Sequence, residues 1–371
     1  MAFAVDGPQT RSQAPLTTLA ALAAQDFSVS AWYSPKGEIF DGEHSVKYFA
    51  NHRFGYIKGA SEDDSYANHA WQGVSRSPTN VLSPNLVYWP LDGSLSFFCY
   101  APYREGDADI VLEDPVTDAG VVARLPDYLP GSPLIRVTPA ETAAGQADFL
   151  CAPPLLDRDR TDEGGAFPLD FSKHRMTQVE FAFNYEGTLL NTVDIQESVR
   201  VTGITVRNVT GSKYFYFTEE APYEVGCAWS DGVSPACPEE VSGHFPVASY
   251  TLSAANGDLK TYSIGGLPEA SGNNHETVST PRGILYMLPQ KHRIGAQLQI
   301  SYSVVEQHGV TRSSEVITYE LAETPDWPEG KRVRYLLTLE IPARGVVAVS
   351  AEILDWKASG NEGPSDYELI Y

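Results

Sequence analysis

Apolar and polar residues alternate along several stretches of the chain, and this alternation predicts β-strands with one buried face. The stretches are 178–185, 198–208, 296–304, 332–342 and 345–356. The alternation in 198–208 slips at Gly203, which predicts a β-bulge there. Signals for helices are few, and Leu16–Ala24 is the one short candidate, with a loop of good helix formers as the alternative. With 30 glycines and 26 prolines separating the segments, the pattern predicts an all-β fold of antiparallel sheets packed face to face.

Two of these patterns predict how individual strands face their surroundings. In the predicted strand 178–185, the core face consists of Val179, Phe181, Phe183 and Tyr185. The outer face consists of Gln178, Glu180, Ala182 and Asn184. In Val87–Pro102, an Asp-Gly pair predicts a tight turn. The strand after that turn is apolar on both faces, which are Leu95, Phe97, Cys99 and Ala101 on one side and Ser96, Phe98 and Tyr100 on the other. Both of its faces therefore need a cover.

Length and charge limit the number of domains and the class of partner. A chain of 371 residues predicts about two domains. A polar, turn-rich segment, Pro153–Gly165, suggests the boundary, so we predict an N-terminal domain of residues 1–160 and a C-terminal domain of residues 161–371. The net charge of -22 argues against nucleic acid and anionic membrane surfaces as partners.

Motifs for catalysis and for cofactor binding are absent from the sequence. It has no nucleophile elbow, phosphate-binding loop or zinc-protease motif, and its eight histidines are scattered. The oxygen-rich run Asp157, Asp159, Asp162, Glu163 suits calcium by chemistry. Arg158 and Arg160 intervene and the required glycine is missing, so a solvated, metal-free loop is predicted. We predict no catalytic residue, metal or cofactor.

Tryptophans and cysteines leave alternatives open. Five tryptophans can either pack in a core or stack on sugar rings, namely Trp32, Trp71, Trp229, Trp327 and Trp356, and core packing is favoured because tryptophan is mostly buried. Cys227 and Cys237 bracket a Gly/Ser/Pro loop and are a candidate disulfide, with separate thiols as the favoured alternative.

A series of longer motifs runs along the chain and consists of Tyr88-Trp-Pro90, Leu95–Pro102, Ala147–Ala152, Leu169–Phe181, Leu288-Pro-Gln290, Trp327–Lys331 with Tyr335–Leu339, and Val349–Trp356. In order and spacing these motifs resemble those of the fimbrillins of Bacteroidales. The sequence departs from the family pattern at Cys151, where a small aliphatic residue is usual, and at Arg175-Met176, where Ala-Leu is usual. These departures affect packing more than class.

The resemblance implies two tandem transthyretin-like Greek-key β-sandwich domains and no enzymatic activity or cofactor. It implies a subunit of a bacterial surface fimbria, made as an outer-membrane lipoprotein precursor whose leader is absent from this chain. The implied partners are neighbouring fimbrial subunits and surface receptors of a host or another bacterium.

In fimbrillins an arginine-specific protease removes a first strand, and a neighbour's strand refills the groove by strand addition. By resemblance, Arg11 and Ser12 form the processing site, and Phe3 and Val5 belong to the released strand. The donor is either the C-terminal tail, through Tyr367, Leu369 and Tyr371, or the predicted strand Val346–Leu354. A frayed N-terminus and a fixed tail are the alternative.

Two other functions compete with this one. A surface glycan-binding lipoprotein would use exposed tryptophans, and a hydrolase would use a pair of carboxylates across a cleft. Loss of oligosaccharide binding on replacing a tryptophan would mark the first. Loss of turnover on replacing one aspartate or glutamate would mark the second.

Overall fold

The computed structural model describes residues 2–6, 22, 24–56, 71–77, 81–105, 109–113, 122–123, 125–160, 166–187, 197–220, 224–230, 247–253, 260–263, 276–277, 284–292, 294–306, 311–321, 324–341 and 345–355. Within these ranges strands are the predominant secondary structure, which confirms the prediction of an all-β fold.

The strands run from one end of the described chain to the other. Up to residue 170 they are β1 (Ala2–Asp6), β2 (Phe27–Ser34), β3 (Val46–Gly55), β4 (Trp71–Arg76), β5 (Leu82–Pro84), β6 (Ser94–Ala101), β7 (Ile110–Glu113), β8 (Leu134–Val137), β9 (Leu150–Cys151), β10 (Leu155–Arg158) and β11 (Ala166–Asp170). Beyond it they are β12 (Thr177–Gly187), β13 (Glu197–Thr210), β14 (Lys213–Glu220), β15 (Glu224–Trp229), β16 (Val247–Ser253), β17 (Lys260–Ser263), β18 (Glu276–Thr277), β19 (Ile284–Met287), β20 (Gln297–Glu306), β21 (Thr311–Glu320), β22 (Lys331–Ile341) and β23 (Gly345–Asp355).

The alternating stretches of the sequence correspond to β12, β13, β20, β22 and β23, so these predictions are confirmed. The predicted bulge also lies where the alternation slips, because β13 carries one extra residue against β20 between Val201 and Gly203. A short 3-10 helix, Ala143–Gly145, precedes β9. Of the candidate helix Leu16–Ala24, residues 22 and 24 are helical and the rest lies outside the described residues. No helix in the described ranges is long and apolar enough to cross a membrane.

The described strands form four sheets, and the third and fourth of these make up the C-terminal part of the fold. The third sheet has the order β18-β12-β22-β23 with β19 paired to β12, and the fourth has the order β16-β13-β20-β21 with β17 paired to β13. One apolar core contains side chains from both sheets, including Phe181, Tyr335 and Leu337 from the third and Ile204, Ile300 and Tyr250 from the fourth. The two sheets therefore pack face to face, as in a β-sandwich.

The first sheet has nine strands and curls onto itself. Its order is β10-β6-β2-β3-β4-β1-β11, with β5 paired to β4 and β9 paired to β6. Although β6 and β11 are five places apart in this order, the rings of Phe97 and Phe167 approach to 6.1 Å between centroids. A core containing Phe27, Trp71 and Phe97 therefore lies between the two halves of one sheet.

Strand β6 is buried on both faces, as its sequence predicts. Leu95, Phe97, Cys99 and Ala101 belong to the core inside the curled first sheet. Phe98 and Tyr100, on the opposite face, belong to a separate core shared with the second sheet, whose order is β15-β14-β8-β7. The ring centroids of Phe98 and Phe217 of β14 are 4.8 Å apart. A second sheet is thus the cover that this strand needs.

Hydrogen-bonded pairing crosses the predicted domain boundary at residue 160. Strand β11, which follows that point, pairs with β1 in the first sheet. Strand β14 pairs with β8 in the second sheet and brings β15 with it. The division at residue 160 remains a prediction, and any N-terminal unit ending there lacks these three strands.

The outer face of β12 differs from the sequence-based expectation. Val179, Phe181 and Phe183 lie in the core as predicted, but Gln178, Glu180 and Ala182 are also buried, and Glu180 is only 5% exposed. The Glu180 carboxylate accepts hydrogen bonds from Nε and Nη2 of Arg334, each at 3.3 Å, and lies 3.9 Å from Arg332. The outer face of β12 thus carries a buried carboxylate paired with arginines, where the alternation predicted a solvent-exposed polar face.

Candidate functional site

The N-terminal strand β1 is inserted between two other strands of the first sheet. On one side Ala2 and Phe3 pair antiparallel with Gln72 and Trp71 of β4. On the other side all five residues of β1 pair in parallel with β11, from Ala2 opposite Ala166 to Asp6 opposite Asp170. The sequence-predicted residues Phe3 and Val5 therefore lie in a strand that pairs with β11 over its whole length and with β4 through Ala2 and Phe3.

Strand β11 depends on β1 for its place in the sheet. It ends the order of the first sheet, and within the described residues its pairing is with β1. Strand β4 has other neighbours, since it pairs with β5 over three residues and with β3 through Phe54 and Gly55. Removal of β1 would leave two facing strand edges, each with unpaired backbone groups.

Apolar side chains hold the strands on either side of β1. Phe167, Leu169 and Phe171 of the segment containing β11 are at most 1% exposed, and Trp71 of β4 is fully buried. Phe27 joins the two sides, because its ring lies 5.4 Å from that of Trp71 and 5.3 Å from that of Phe171. Burial of these large apolar groups in one core stabilises β4 and β11 in addition to their pairing with β1.

A buried ion pair also fixes strand β4. Asp26, which precedes β2 and is 1% exposed, accepts hydrogen bonds from Arg76 of β4 at 2.9 Å and 2.6 Å. Arg53 of β3 approaches the same carboxylate to 3.5 Å and lies over the Tyr103 ring at 4.1 Å. Sequence reasoning missed this cluster, since Asp26 and Arg76 are 50 residues apart and no local pattern connects them.

The other parts of the predicted strand-exchange machinery lie mostly outside the described residues. Arg11 and Ser12 are outside, and so are Tyr367, Leu369 and Tyr371 of the candidate donor tail. The alternative donor, Val346–Leu354, lies within β23. That strand ends the third sheet and pairs with β22 over most of its length, from Gly345 to Asp355. Releasing it would break a long ladder.

Cys227 lies beside Arg175 and packs against the core shared by the first and second sheets. Nη2 of Arg175 donates to Cys227 Sγ at 3.3 Å and to the Cys151 carbonyl at 3.4 Å, and Nη1 donates to Glu329 at 2.8 Å. Burial raises the pKa of the Cys151 thiol well above its usual value. The two departures from the family pattern, Cys151 and Arg175, are therefore neighbours in space. Cys237 lies outside the described residues, so a Cys227–Cys237 disulfide remains a prediction.

Three of the tryptophans weighed as sugar platforms are core residues. Trp32, Trp71 and Trp327 are buried, which confirms the packing interpretation for them. Trp229 is partly buried and donates its indole N–H to the Arg175 carbonyl at 2.8 Å. Trp356 lies outside the described residues.

The predicted solvated loop from Asp157 starts within a strand instead. Asp157 and Arg158 belong to β10, and the Asp157 carboxylate accepts the backbone N–H of Phe40 at 2.8 Å. This part of the prediction is wrong. The register of β10 shifts at a bulge, where Asp157 has a φ of 51°, and its carboxylate bonds to the backbone of Phe40. In the described ranges, no three histidine, cysteine, aspartate or glutamate side chains come together as a metal-binding group.

Comparisons with known proteins agree with this architecture. The family model described as "Fimbrillin-like" matches residues 54–356. A fimbrial protein from Bacteroides vulgatus superimposes with a TM-score of 0.55 at 16% identity, covering 96% of this chain and 99% of that one. A candidate cell adhesion protein from Bacteroides uniformis gives a TM-score of 0.41 at 15% identity, over 90% of this chain and 93% of that one. Among curated proteins none matches significantly.

The family match spans most of the chain, including strands of all four sheets, and the similarity to the Bacteroides vulgatus protein extends the shared fold over nearly the whole length of both chains. The motifs that resemble fimbrillins in the sequence all lie within the matched residues, some in strands such as β6 and β22 and others in the connections between strands. The chain belongs to the fimbrillin-like family.

Proposed function

We propose that this protein is a structural and adhesive subunit of a bacterial surface fimbria, assembled by β-strand exchange after proteolytic removal of β1. One observation carries the proposal. The first strand of the chain occupies a slot between β4 and β11, and it pairs with both. A single cut between β1 and β2 would separate this strand from the strands that flank it.

The chemistry of exchange follows from main-chain pairing. A released β1 takes with it the hydrogen bonds along five residue pairs with β11 and two with β4. A strand from a second subunit restores these bonds, and the apolar core beneath the slot selects alternate side chains in the incoming strand. Processing at Arg11 and Ser12 would free Phe3 and Val5 in this scheme.

Of the two candidate donors, the tail containing Tyr367, Leu369 and Tyr371 is the better supported. The long ladder between β22 and β23 makes Val346–Leu354 costly to release, since each freed backbone group loses its partner. In the tail, Tyr367, Leu369 and Tyr371 occupy alternate positions and would share one face of an inserted strand, opposite Asp366, Glu368 and Ile370.

The proposal includes two tandem transthyretin-like Greek-key sandwiches that divide near residue 160. The core shared by the third and fourth sheets supports the C-terminal sandwich. The N-terminal one would borrow β11, β14 and β15 from beyond the boundary. The proposed location is the cell surface, reached as an outer-membrane lipoprotein precursor, with neighbouring subunits and surface receptors as partners and without an enzymatic role or a bound nucleic acid.

The test is controlled proteolysis followed by a measurement of size. The purified chain is treated with an arginine-specific protease, and its mass is followed by light scattering while the cut position is read by mass spectrometry. We expect cleavage after Arg11 to convert monomer into a ladder of polymers.

Two variants serve as controls. Arg11→Ala should remain monomeric under the same treatment, and a chain without residues 366–371 should be cleaved but not polymerise. The proposal is refuted if cleavage after Arg11 yields only monomer.

A further inference from the structure

A cleft of about 500 Å³ lies at the end of the first sheet where three connections meet. They are the turn after β2, the segment that leads into β6, and the end of β10. The volume falls within the range of sites that bind small molecules. The strand-exchange proposal makes no use of this cleft.

Trp89 forms an aromatic wall of the cleft. Its ring centroid lies 5.7 Å from that of Phe97, in an edge-on arrangement, and 5.5 Å from that of Phe167, in a tilted one. These contacts fix the ring from the core side, while the residue remains only half-buried. An aromatic surface that is already fixed costs little entropy when a ligand stacks on it.

Two carboxylates in the cleft are held by neighbouring groups. Asp92 accepts the hydroxyl of Tyr33 at 3.0 Å. Asp157 accepts the backbone N–H of Phe40 at 2.8 Å through Oδ1, and the hydroxyl of Ser94 lies 3.4 Å from the same oxygen. A carboxylate has about four acceptor positions, so each group keeps capacity for a further donor.

The charges around the cleft restrict the class of ligand. Its lining includes the carboxylates of Glu38, Asp92, Asp157 and Asp159 and the cations of Lys36 and Arg160. The excess of carboxylates disfavours an anionic ligand, as does the chain's net charge of -22. The two cations disfavour a basic peptide. Hydroxyl groups, which both donate and accept, suit such a mixed lining.

We infer that this cleft binds a neutral saccharide, with a sugar ring stacked on Trp89 and its hydroxyls donating to Asp92 and Asp157. This is an adhesive site separate from the slot of β1, so the inference stands or falls independently of strand exchange. Trp89 is not among the tryptophans weighed as sugar platforms from the sequence, and no local pattern predicts its contact with Phe167.

The test measures saccharide binding to the intact, uncleaved chain by saturation-transfer NMR. The probes are neutral oligosaccharides ending in mannose, galactose, glucose or N-acetylglucosamine, with a sialylated oligosaccharide and a lysine-rich peptide for comparison. We expect at least one neutral probe to bind. Asp92→Asn and Trp89→Leu should each weaken that binding by about tenfold, the equivalent of one lost hydrogen bond or contact.

Asp170→Asn is the matched control, because Asp170 is exposed on β11 and lies outside the cleft. It should leave binding unchanged. Since Trp89 also packs on the core, thermal unfolding accompanies each variant, and Asp92→Asn decides the matter if Trp89→Leu does not fold. The inference is overturned if no neutral probe binds, if only the sialylated probe or the peptide binds, or if Asp92→Asn binds as well as the parent chain.

Discussion

Buried charges at individual positions were the least visible feature of the sequence. Glu180 occupies a position that alternation assigns to an outer face, yet it lies between Arg334 and Arg332. Asp26 and Arg76 form a comparable buried pair. In each case the two partners are far apart in the chain. The alternation within one strand predicts which face a residue occupies, but it does not predict which charged side chain will contact that residue.

The Glu180 cluster predicts a large loss of stability for Glu180→Ala. The variant leaves two largely buried arginines without this carboxylate. Breaking a buried pair by removing one partner costs about 3–5 kcal/mol. Lys331→Ala is the control on the same sheet, because Lys331 and Asp355 form an exposed pair at 2.7 Å. That variant should cost about 0–1 kcal/mol. Equal losses in urea unfolding would contradict the account.

His292 predicts a rise in stability as the pH increases toward neutrality. Burial lowers the pKa of His292, whose Nε2 donates to the Pro325 carbonyl at 2.9 Å, whereas Nδ1 is buried and has no hydrogen-bond partner among the described residues. Protonation would place a proton on Nδ1 with no acceptor. Below the ordinary pKa of about 6.5, the unfolded chain therefore binds more protons, and the free energy of unfolding increases with pH.

The measurement is urea unfolding of His292→Gln between about pH 5 and 7, a range around the ordinary histidine pKa. The variant should show a flatter pH dependence than the parent chain. His44→Gln is the control, since its pair with Asp41 raises the pKa of an exposed histidine and so cannot produce a slope of this sign. An unchanged slope in His292→Gln would show that another group is responsible.

At the scale of elements, strands were predictable and their partners were not. The stretches that became β12, β13, β20, β22 and β23 were identified by alternation, and the bulge in β13 by its slip. The parallel pairing of β1 with β11 joins residues more than 160 apart in the chain. No turn or repeat connects them, so local sequence had no means of predicting the slot.

Removing β1 should loosen β11 more than the other strands of the first sheet. Strand β11 loses its hydrogen-bonded neighbour, whereas β2 and β6 keep each other. In the cleaved monomer we expect amide hydrogen exchange to accelerate in 166–170 but not in β2. Unchanged protection of 166–170 would mean that the apolar anchors Phe167 and Leu169 alone hold the strand.

The whole molecule is organised by sheets that combine distant parts of the chain. The polar segment Pro153–Gly165 looked like a boundary by composition, but three strands beyond it complete sheets that begin before it. Composition indicates where a chain is exposed and flexible. It does not indicate whether strands on the two sides of such a segment pair in the same sheet. The all-β class was predictable because it depends only on local alternation and not on which strands pair.

A fragment of residues 1–160 should therefore fail to fold cooperatively. Its first sheet lacks β11, and its second sheet is reduced to β7 and β8, a two-stranded unit that is marginal in water. We expect weak near-ultraviolet circular dichroism and a broad thermal transition, in contrast to the full chain. A sharp two-state transition with native-like spectra would contradict this organisation.

The central claim, that β1 is an exchangeable strand, is tested most directly by locking it in place. Ala2 lies opposite Ala166 in the parallel pair, so Ala2→Cys with Ala166→Cys places a disulfide between β1 and β11. After cleavage at Arg11, we predict that the oxidised double variant remains monomeric and that adding a reductant starts polymerisation, as followed by light scattering. Polymerisation of the oxidised form at the parent rate, or a reduced form that stays monomeric while the parent polymerises, would contradict the account.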